Sequence, residues 1–224
     1  MADLRARAVL WDMDGTLLDS EPAHEASFDD AMAELGLSVP AGFHDGLLGQ
    51  SADRVHGALV EATGAGLPLD GWLALKWRHF RRRAAMIVPR AGVARLAEDL
   101  AVLGVPMAVV SNSTADEVAL CLAATGLGPL FQVTVSRSDV ARGKPAPDGY
   151  LLAAARLGVL PSASVVVEDS PVGARAGLAA GMAVIFHPQH PAAPAGVPAG
   201  ALYVPPSDAL APRLDALLTR EVLP

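Results

Sequence analysis

The chain has 224 residues, of which 52% are hydrophobic and 18% are charged, and its formal net charge is −7. This composition excludes an intrinsically disordered protein, and at about 150 residues per domain the length allows one large domain or a core with an inserted unit. The acidic balance argues against a nucleic-acid partner, because phosphate contacts need a clustered excess of lysine and arginine.

The single cysteine, Cys121, cannot form a disulfide within the chain, which favours a reducing compartment and predicts a cytoplasmic protein. Charged, glycine or proline residues interrupt every apolar stretch before the ~18 residues that a membrane helix needs. We therefore expect no membrane partner. The expected assembly is a monomer or a homodimer.

The first predicted element is a buried strand at residues 8–12, an apolar run that ends in an acid. The next segment, residues 20–88, breaks the strand pattern and has helical spacing instead. Its three helical patterns are Pro22–Leu35, Ser51–Thr63 and Leu69–Met86. We therefore expect a small all-helical cap at residues 20–88, inserted into a core formed by residues 1–19 and 89–224.

After this insertion, strand and helix patterns alternate and several helices are followed by glycine, as in βαβ units. The predicted strands are Pro106–Val110, Ser164–Val167 and Met182–Phe186, and the predicted helices are Val93–Leu103, Asp116–Thr125, Asp148–Leu157 and Val172–Ala180. Such units build a parallel sheet with helices on both faces, so the expected fold class is α/β. The tract from His187 to Pro206 is rich in proline, alanine and glycine and is predicted to be a surface loop.

Polar side chains follow three of the predicted strands, and a lysine lies in a loop before a predicted helix. They are Asp12 and Asp14, Ser111 and Asn112, Glu168 and Asp169, and Lys144. In parallel sheets, binding sites form beyond the carboxyl ends of the strands. We therefore expect these side chains to meet at one edge of the sheet.

The chemistry of such a cluster is restricted. Carboxylates from two loops are hard oxygen ligands that suit Mg²⁺, and a lysine with hydroxyl and amide donors can bind a phosphoryl group. The expected substrate is therefore a phosphate ester. Asp12 can attack phosphorus to form an aspartyl-phosphate, and Asp14 can protonate the leaving oxygen and later deprotonate water.

Each motif also has a structural interpretation. Asp12 and Asp14 are compatible with a polar turn, and Lys144 with a solvated loop residue. Ser111 or Thr114 can cap the first helix that follows, and Asp169 or Ser170 can cap the helix that begins near Val172. The occurrence of all the motifs in order, at the expected strand ends, favours the catalytic interpretation.

The motifs resemble those of the haloacid dehalogenase superfamily of phosphohydrolases. They are DMDGT (12–16), VVSNS (109–113), GKPAPDGY (143–150) and VVVEDSPVG (165–173), and the match covers residues 8–186. The chain is similar to the branch with a helical cap, which includes sugar-phosphate phosphatases and β-phosphoglucomutase. The resemblance implies a Rossmann-like sheet and a cap that closes over the site.

The resemblance also implies roles for individual residues. Asp12 would be the nucleophile and Asp14 the general acid and base. Ser111 and Lys144 would hold the phosphoryl group, and Asn112 would lie near the phosphate or the leaving group.

The implied metal is Mg²⁺, held by Asp12, Glu168, Asp169 and the backbone carbonyl of Asp14. Dehalogenases of the superfamily lack the second acid of the first motif and need no Mg²⁺. The presence of these acids therefore argues against dehalogenation.

In the predicted cap, His24, Gln50 and Lys76 are candidate substrate-binding residues. His24 falls where the mutase has a histidine that assists the general acid and base. Gln50 lies in a Gly-x-Ser pattern, but Leu48 and Ala52 stand where the mutase has cations for a second phosphate. This difference favours hydrolysis over isomerisation.

The stretch Lys76–Arg83 is the one basic cluster of the chain. It is predicted to be a solvated helix face or a surface that attracts an anionic substrate. In the second interpretation, Lys76 would reach towards a bound sugar phosphate.

The sequence therefore predicts a Mg²⁺-dependent phosphatase of small phosphorylated metabolites, with sugar or sugar-acid phosphates as the expected substrates. A phosphosugar mutase is the first alternative. A non-catalytic binding protein on the same fold is the second.

Overall fold

The computed structural model describes residues 8–43, 47, 52–191 and 196–218. The chain divides into two compact units. One combines the residues up to Asp19 with those from Val88 onward, and the other is Ser20–Ile87. Within the described ranges, no helix has the length and apolar character needed to cross a bilayer.

The larger unit is built on a six-stranded parallel sheet. In chain order the strands of the molecule are β1 (Ala8–Trp11), β2 (Leu18–Asp19), β3 (Val88–Pro89), β4 (Met107–Val110), β5 (Val133–Val135), β6 (Ser164–Glu168), β7 (Ala183–Phe186) and β8 (Leu202–Tyr203). The large sheet has the order β5-β4-β1-β6-β7-β8, and all its pairings are parallel. β2 and β3 pair antiparallel where the chain leaves and re-enters this unit.

Helices cover both faces of the sheet. In chain order the helices of the molecule are α1 (Glu21–Leu35), α2 (Ala52–Thr63), α3 (Leu69–Arg82), α4 (Ala91–Val102), α5 (Ala115–Thr125), α6 (Asp148–Leu157), α7 (Pro171–Ala179) and α8 (Ala211–Leu218). Every residue of β1, β4 and β6 is buried. Because side chains alternate between the faces of a strand, such continuous burial requires cover on both faces. The predicted α/β fold class is confirmed.

The prediction of a surface loop from His187 to Pro206 is wrong in part. Leu202 and Tyr203 form β8, which extends the sheet beside β7, and both Val204 and His187 are buried. A two-residue strand is too short to show an alternating pattern, and it forms because β7 offers an open edge. The strand β5 and the helix α8 were likewise absent from the sequence prediction.

The smaller unit is helical, as predicted. It comprises α1, α2 and α3, whose buried side chains pack into one apolar cluster. The cluster is formed by Phe28, Ala31, Met32, Leu59, Trp72 and Leu75. The third predicted helix was too long, because α3 ends at Arg82 and a short 3₁₀ turn spans Ala84–Met86.

Candidate active site

Three carboxylates meet at the carboxyl edge of the sheet. Asp12 follows β1 directly, Glu168 is the last residue of β6, and Asp169 comes next. The neighbouring strands pair with Trp11 opposite Val167, so the register brings the acids level with one another. One oxygen of each acid lies within 4.8 Å of those of the other two.

Lys144 joins this cluster from the loop before α6. Its Nζ lies 2.6 Å from Asp12 Oδ1 and 2.6 Å from Glu168 Oε1, and its side chain is only 6% exposed. Asn112 holds the lysine backbone on both sides: its Oδ1 accepts from Lys144 N at 2.8 Å and its Nδ2 donates to Lys144 O at 3.2 Å. In this structure Asn112 therefore positions Lys144, while its predicted contact with substrate stays a prediction.

Asp14 is held by two serine hydroxyls from the loop after β4. Asp14 Oδ2 accepts from Ser113 Oγ at 3.0 Å and from Ser111 Oγ at 3.4 Å. Ser113 was not singled out from the sequence, although it stands in the same motif as Ser111. The helix that follows is capped by Thr114, which forms a capping box with Glu117, so Ser111 is not its cap.

The loop after β1 packs closely on Asp169. Thr16 Oγ1 donates to Asp169 Oδ1 at 3.2 Å. Gly15 adopts a φ of +81°, and a Cβ at this position would lie 2.1 Å from Asp169 Oδ2. Arg90 donates to the carbonyl of Gly15, which fixes the loop from its other side. Only glycine combines this backbone conformation with this close approach.

Glu168 is completely buried, and both of its oxygens accept hydrogen bonds from the protein. Oε1 accepts from Lys144 Nζ and from the Tyr150 hydroxyl, and Oε2 accepts from the backbone N–H and the hydroxyl of Ser170. Ser170 also caps α7 by accepting from Gly173 N. The sequence analysis gave no role to Tyr150, although it closes the motif that contains Lys144.

The electrostatics of the cluster are those of crowded, buried acids. Burial raises the pKa of Asp12 well above its usual value, and the charge of Glu168 raises it further. Burial is also the main reason why the pKa of Asp169 is raised to about 7, and the negative charge of Glu168 is the second reason. Burial lowers the pKa of Lys144. The negative charges of Asp12 and Glu168 have the larger combined effect, so the pKa of the ammonium is raised well above its usual value.

This cluster fits a divalent cation with oxygen ligands. Three acids face a single ammonium, so the ionised cluster carries an excess of negative charge that a divalent cation would neutralise. Asp12 Oδ2 is buried and accepts no hydrogen bond from the described residues. Asp12 and Asp169 are the carboxylates best placed to bind such a cation, because the oxygens of Glu168 are already hydrogen-bonded.

The substrate-binding residues predicted in the helical unit are only partly described. Lys76 Nζ lies 3.4 Å from His24 Nδ1, and the His24 ring stacks on Phe80 at 4.3 Å between centroids. These two predicted residues therefore lie together, on α3 and α1. Gln50 lies outside the described residues.

The basic stretch on α3 binds acids of α1. Arg78 and His79 pair with Glu34, and Arg83 makes two hydrogen bonds to Asp30. Much of the predicted positive surface is thus neutralised within the helical unit.

Comparison with known proteins identifies the family. The model of the haloacid dehalogenase-like hydrolases matches residues 6–181. The chain belongs to the haloacid dehalogenase-like hydrolases. This confirms the resemblance seen in the motifs and the expectation of a hydrolase.

Relatives in this family are similar over most of their length. Fructose-1-phosphate phosphatase YqaB of Escherichia coli is 32% identical over 186 residues, which cover 80% of this chain and 94% of that protein. Hexitol phosphatase A of Escherichia coli is 33% identical, with 81% of this chain and 83% of that protein covered. The crystal structure of CbbY from Rhodobacter sphaeroides in complex with phosphate aligns with a TM-score of 0.76 and 29% identity, and covers 88% of this chain and 92% of that one.

Proposed function

We propose that this hydrolase is a Mg²⁺-dependent phosphatase of small phosphorylated metabolites that works through an aspartyl-phosphate on Asp12. One observation carries the proposal. Lys144 holds one oxygen of Asp12, and the other is buried and accepts no hydrogen bond from any residue that the structure describes, in a carboxylate cluster that includes Asp169. This is the arrangement expected of a carboxylate that shares a site with a cation and a phosphoryl group.

In the first step, the Asp12 carboxylate attacks phosphorus and the bond between phosphorus and the ester oxygen breaks. Asp14 donates a proton to that oxygen, and the alcohol leaves. The hydroxyls of Ser113 and Ser111 hold the Asp14 carboxyl for this transfer. Lys144 offsets the negative charge on the phosphoryl oxygens.

In the second step, Asp14 takes a proton from water and the resulting nucleophile attacks the phosphorus of the aspartyl-phosphate. The acyl phosphate bond breaks, inorganic phosphate leaves, and the Asp12 carboxylate is restored. The net reaction converts one phosphate ester and one water molecule into one alcohol and one inorganic phosphate.

Mg²⁺, held by Asp12, Asp169 and the Asp14 carbonyl, would supply positive charge that keeps the acids ionised and offsets the charge of the phosphoryl group. Glu168 would complete the negative surroundings of the ion while it anchors Lys144. The fit rests on the buried oxygen of Asp12, which has no hydrogen-bond partner among the described residues, and on the excess of carboxylates over ammonium groups in the cluster.

The proposed substrates are sugar or sugar-acid phosphates. This class is supported by the phosphatases of fructose 1-phosphate and of hexitol phosphates among the relatives. We also propose that the helical unit acts as a cap, in which His24 and Lys76 contribute to the choice of substrate. An ammonium and an imidazole held together suit the hydroxyl and phosphate groups of such a ligand.

The experiment is phosphate release from a panel of sugar phosphates and p-nitrophenyl phosphate, with Mg²⁺ and with EDTA. Release that depends on Mg²⁺ supports the proposal. Accumulation of an isomeric sugar phosphate without inorganic phosphate would instead identify a mutase. If no substrate is turned over, the proposal is wrong and the alternative of a non-catalytic binding protein is favoured.

The covalent intermediate has its own test. The Asp14→Asn variant lacks the base that activates water, so p-nitrophenyl phosphate should leave the enzyme phosphorylated. Mass spectrometry of the acid-quenched protein should find one added PO₃ group in a peptide that contains Asp12. Its absence in this variant, at a time when p-nitrophenol has been released, would exclude the intermediate.

A further inference from the structure

Tyr150 lies in direct contact with the charged groups of the site. It stands in the first turn of α6, six residues after Lys144, and its side chain is completely buried. Its hydroxyl donates to Glu168 Oε1 at 2.9 Å. The Lys144 ammonium lies 5.0 Å from the centroid of its ring. One side chain thus touches both members of the Lys144–Glu168 pair.

Glu168 is the acceptor that the lysine and the tyrosine share. Its Oε1 accepts two donors, Lys144 Nζ at 2.6 Å and the Tyr150 hydroxyl. Its Oε2 accepts two more from Ser170, at 3.2 and 3.0 Å. Each carboxylate oxygen offers two lone pairs, so these four donors hold the carboxylate in one orientation. Loss of the hydroxyl would leave Oε1 with Lys144 as its single partner.

The hydroxyl is not explained by packing. The Tyr150 ring belongs to a buried apolar cluster of the α/β unit that also includes Leu10, Val110 and Ala153. A phenylalanine ring would fill the same space without the cost of removing a hydroxyl from water. Among the described residues the hydroxyl reaches one acceptor, Glu168, which also anchors the lysine. We therefore look for the use of the hydroxyl at this carboxylate.

We propose that Tyr150 is a positioning residue, which holds the Lys144–Glu168 pair so that the ammonium stays against Asp12 and the phosphoryl group. The inference rests on the proposed function. Without the hydroxyl, Glu168 Oε1 loses a competing donor and attracts the Lys144 ammonium more strongly. The ammonium then moves away from the oxygen atoms on which charge develops during phosphoryl transfer.

The test is the Tyr150→Phe variant, with Tyr203→Phe as the matched control, since the chain has two tyrosines. Tyr203 lies on β8 with its ring near Phe186. With p-nitrophenyl phosphate and Mg²⁺, we expect Tyr150→Phe to lower kcat/KM about tenfold, as expected for loss of a hydrogen bond to a charged group. The loss should fall mainly on kcat. Tyr203→Phe should stay within about twofold of the wild type.

A double-mutant cycle separates positioning from a loss of stability. The affinity for inorganic phosphate, with Mg²⁺ present, is measured calorimetrically for the wild type, Tyr150→Phe, Lys144→Met and the double variant. If Tyr150 acts through Lys144, Tyr150→Phe weakens phosphate binding about fivefold in the wild type and leaves it unchanged in the Lys144→Met background. Equal effects in the two backgrounds overturn the proposal. Tyr150→Leu, which also removes the ring, should weaken binding further in the wild-type background, whereas Tyr150→Phe keeps the ring that fills the core.

The two proposals fail in different ways. An active wild type whose kcat/KM is unchanged by Tyr150→Phe overturns the role of Tyr150 alone. The opposite result is a wild type that hydrolyses no ester while its phosphate affinity still shows the coupling between Tyr150 and Lys144. That result overturns the proposed phosphatase activity and supports the positioning role of Tyr150.

Discussion

The two units of the chain use charged side chains in opposite ways. In the α/β unit, Asp12, Glu168 and Asp169 are crowded around one ammonium, with Asp12 and Glu168 buried and Asp169 half-buried. In the helical unit, acids and bases pair at the surface. Arg78 and Glu34, for example, keep 49% and 45% of their side chains exposed.

The same residue type therefore titrates differently in the two units. The hydrogen bond from Arg83 lowers the pKa of Asp30, whereas burial and the neighbouring Glu168 raise the pKa of Asp12. Exposed pairs contribute little to stability and are screened by salt. Buried like charges reduce stability, so their presence together at a sheet edge supports the proposed catalytic role.

The largest expected effect comes from Asp12→Asn, which replaces the nucleophile by an amide of nearly the same shape. Turnover of p-nitrophenyl phosphate should fall by at least about 10³-fold. The melting temperature in EDTA should stay equal or rise, because one buried charge is removed. A variant that keeps its turnover would show that the buried acids do not carry the reaction. Asp116→Asn, on the exposed start of α5, is the control.

The effect of Mg²⁺ on stability should depend on pH. Folding raises the pKa of Asp169 from 3.8 to about 7, so the metal-free protein loses stability as the pH rises through that window. Cation binding needs the ionised carboxylates, so it becomes stronger over the same window. We expect Mg²⁺ to raise the melting temperature more at about pH 8 than at about pH 5.5. A stabilisation that is equal at both would contradict the assignment of the buried acids as ligands.

Gly15→Ala tests the close approach of the first loop to Asp169. Its Cβ would meet Asp169 Oδ2 at 2.1 Å, so Asp169 must move and the affinity for Mg²⁺ should fall at least about tenfold. Gly36→Ala is the matched control. Gly36 has a similar φ of +65°, but a Cβ added there would meet no atom of the described residues within 4 Å, so this variant suffers only the backbone strain of about 1–2 kcal/mol. Calorimetric titration of Mg²⁺ compares the two, and equal losses of affinity would refute the contact argument.

The smallest effect is expected in the helical unit. Glu34→Gln removes the charge that pairs with Arg78 and His79, yet the melting temperature should fall by no more than about 2 °C. The difference should shrink further in high salt. A fall in melting temperature well above this value would show that the exposed ion pairs of the helical unit do contribute strongly to stability.

Much of the site could be predicted from the sequence because its acids follow recognisable strands. The apolar runs that end at Asp12 and Glu168 identify β1 and β6, and parallel pairing places both acids at one edge. Lys144 was found through its motif. The hydroxyls that hold these groups, from Ser113, Thr16 and Tyr150, were not assigned, since a hydroxyl in a motif is equally compatible with a helix cap or a turn.

In the helical unit too, the helices could be predicted from the sequence but the partners of individual side chains could not. The spacing of its apolar residues predicts α1, α2 and α3, whereas the partners of the basic stretch depend on how α3 lies on α1. Arg83 and Asp30 are 53 positions apart in the chain, and only packing brings them together.

The amino-acid order alone determined the fold class, the helical insertion, the acids at the strand ends and the lysine in the loop before α6, because hydrophobic periodicity and motif spacing are local properties. The tertiary structure decided that β8 completes the sheet, that Asn112 holds the backbone of Lys144, and that Tyr150 shares Glu168 with the lysine. The physical reason is that hydrogen bonds between distant residues depend on strand register and helix packing. Neither the register nor the packing is determined by any short segment of the chain.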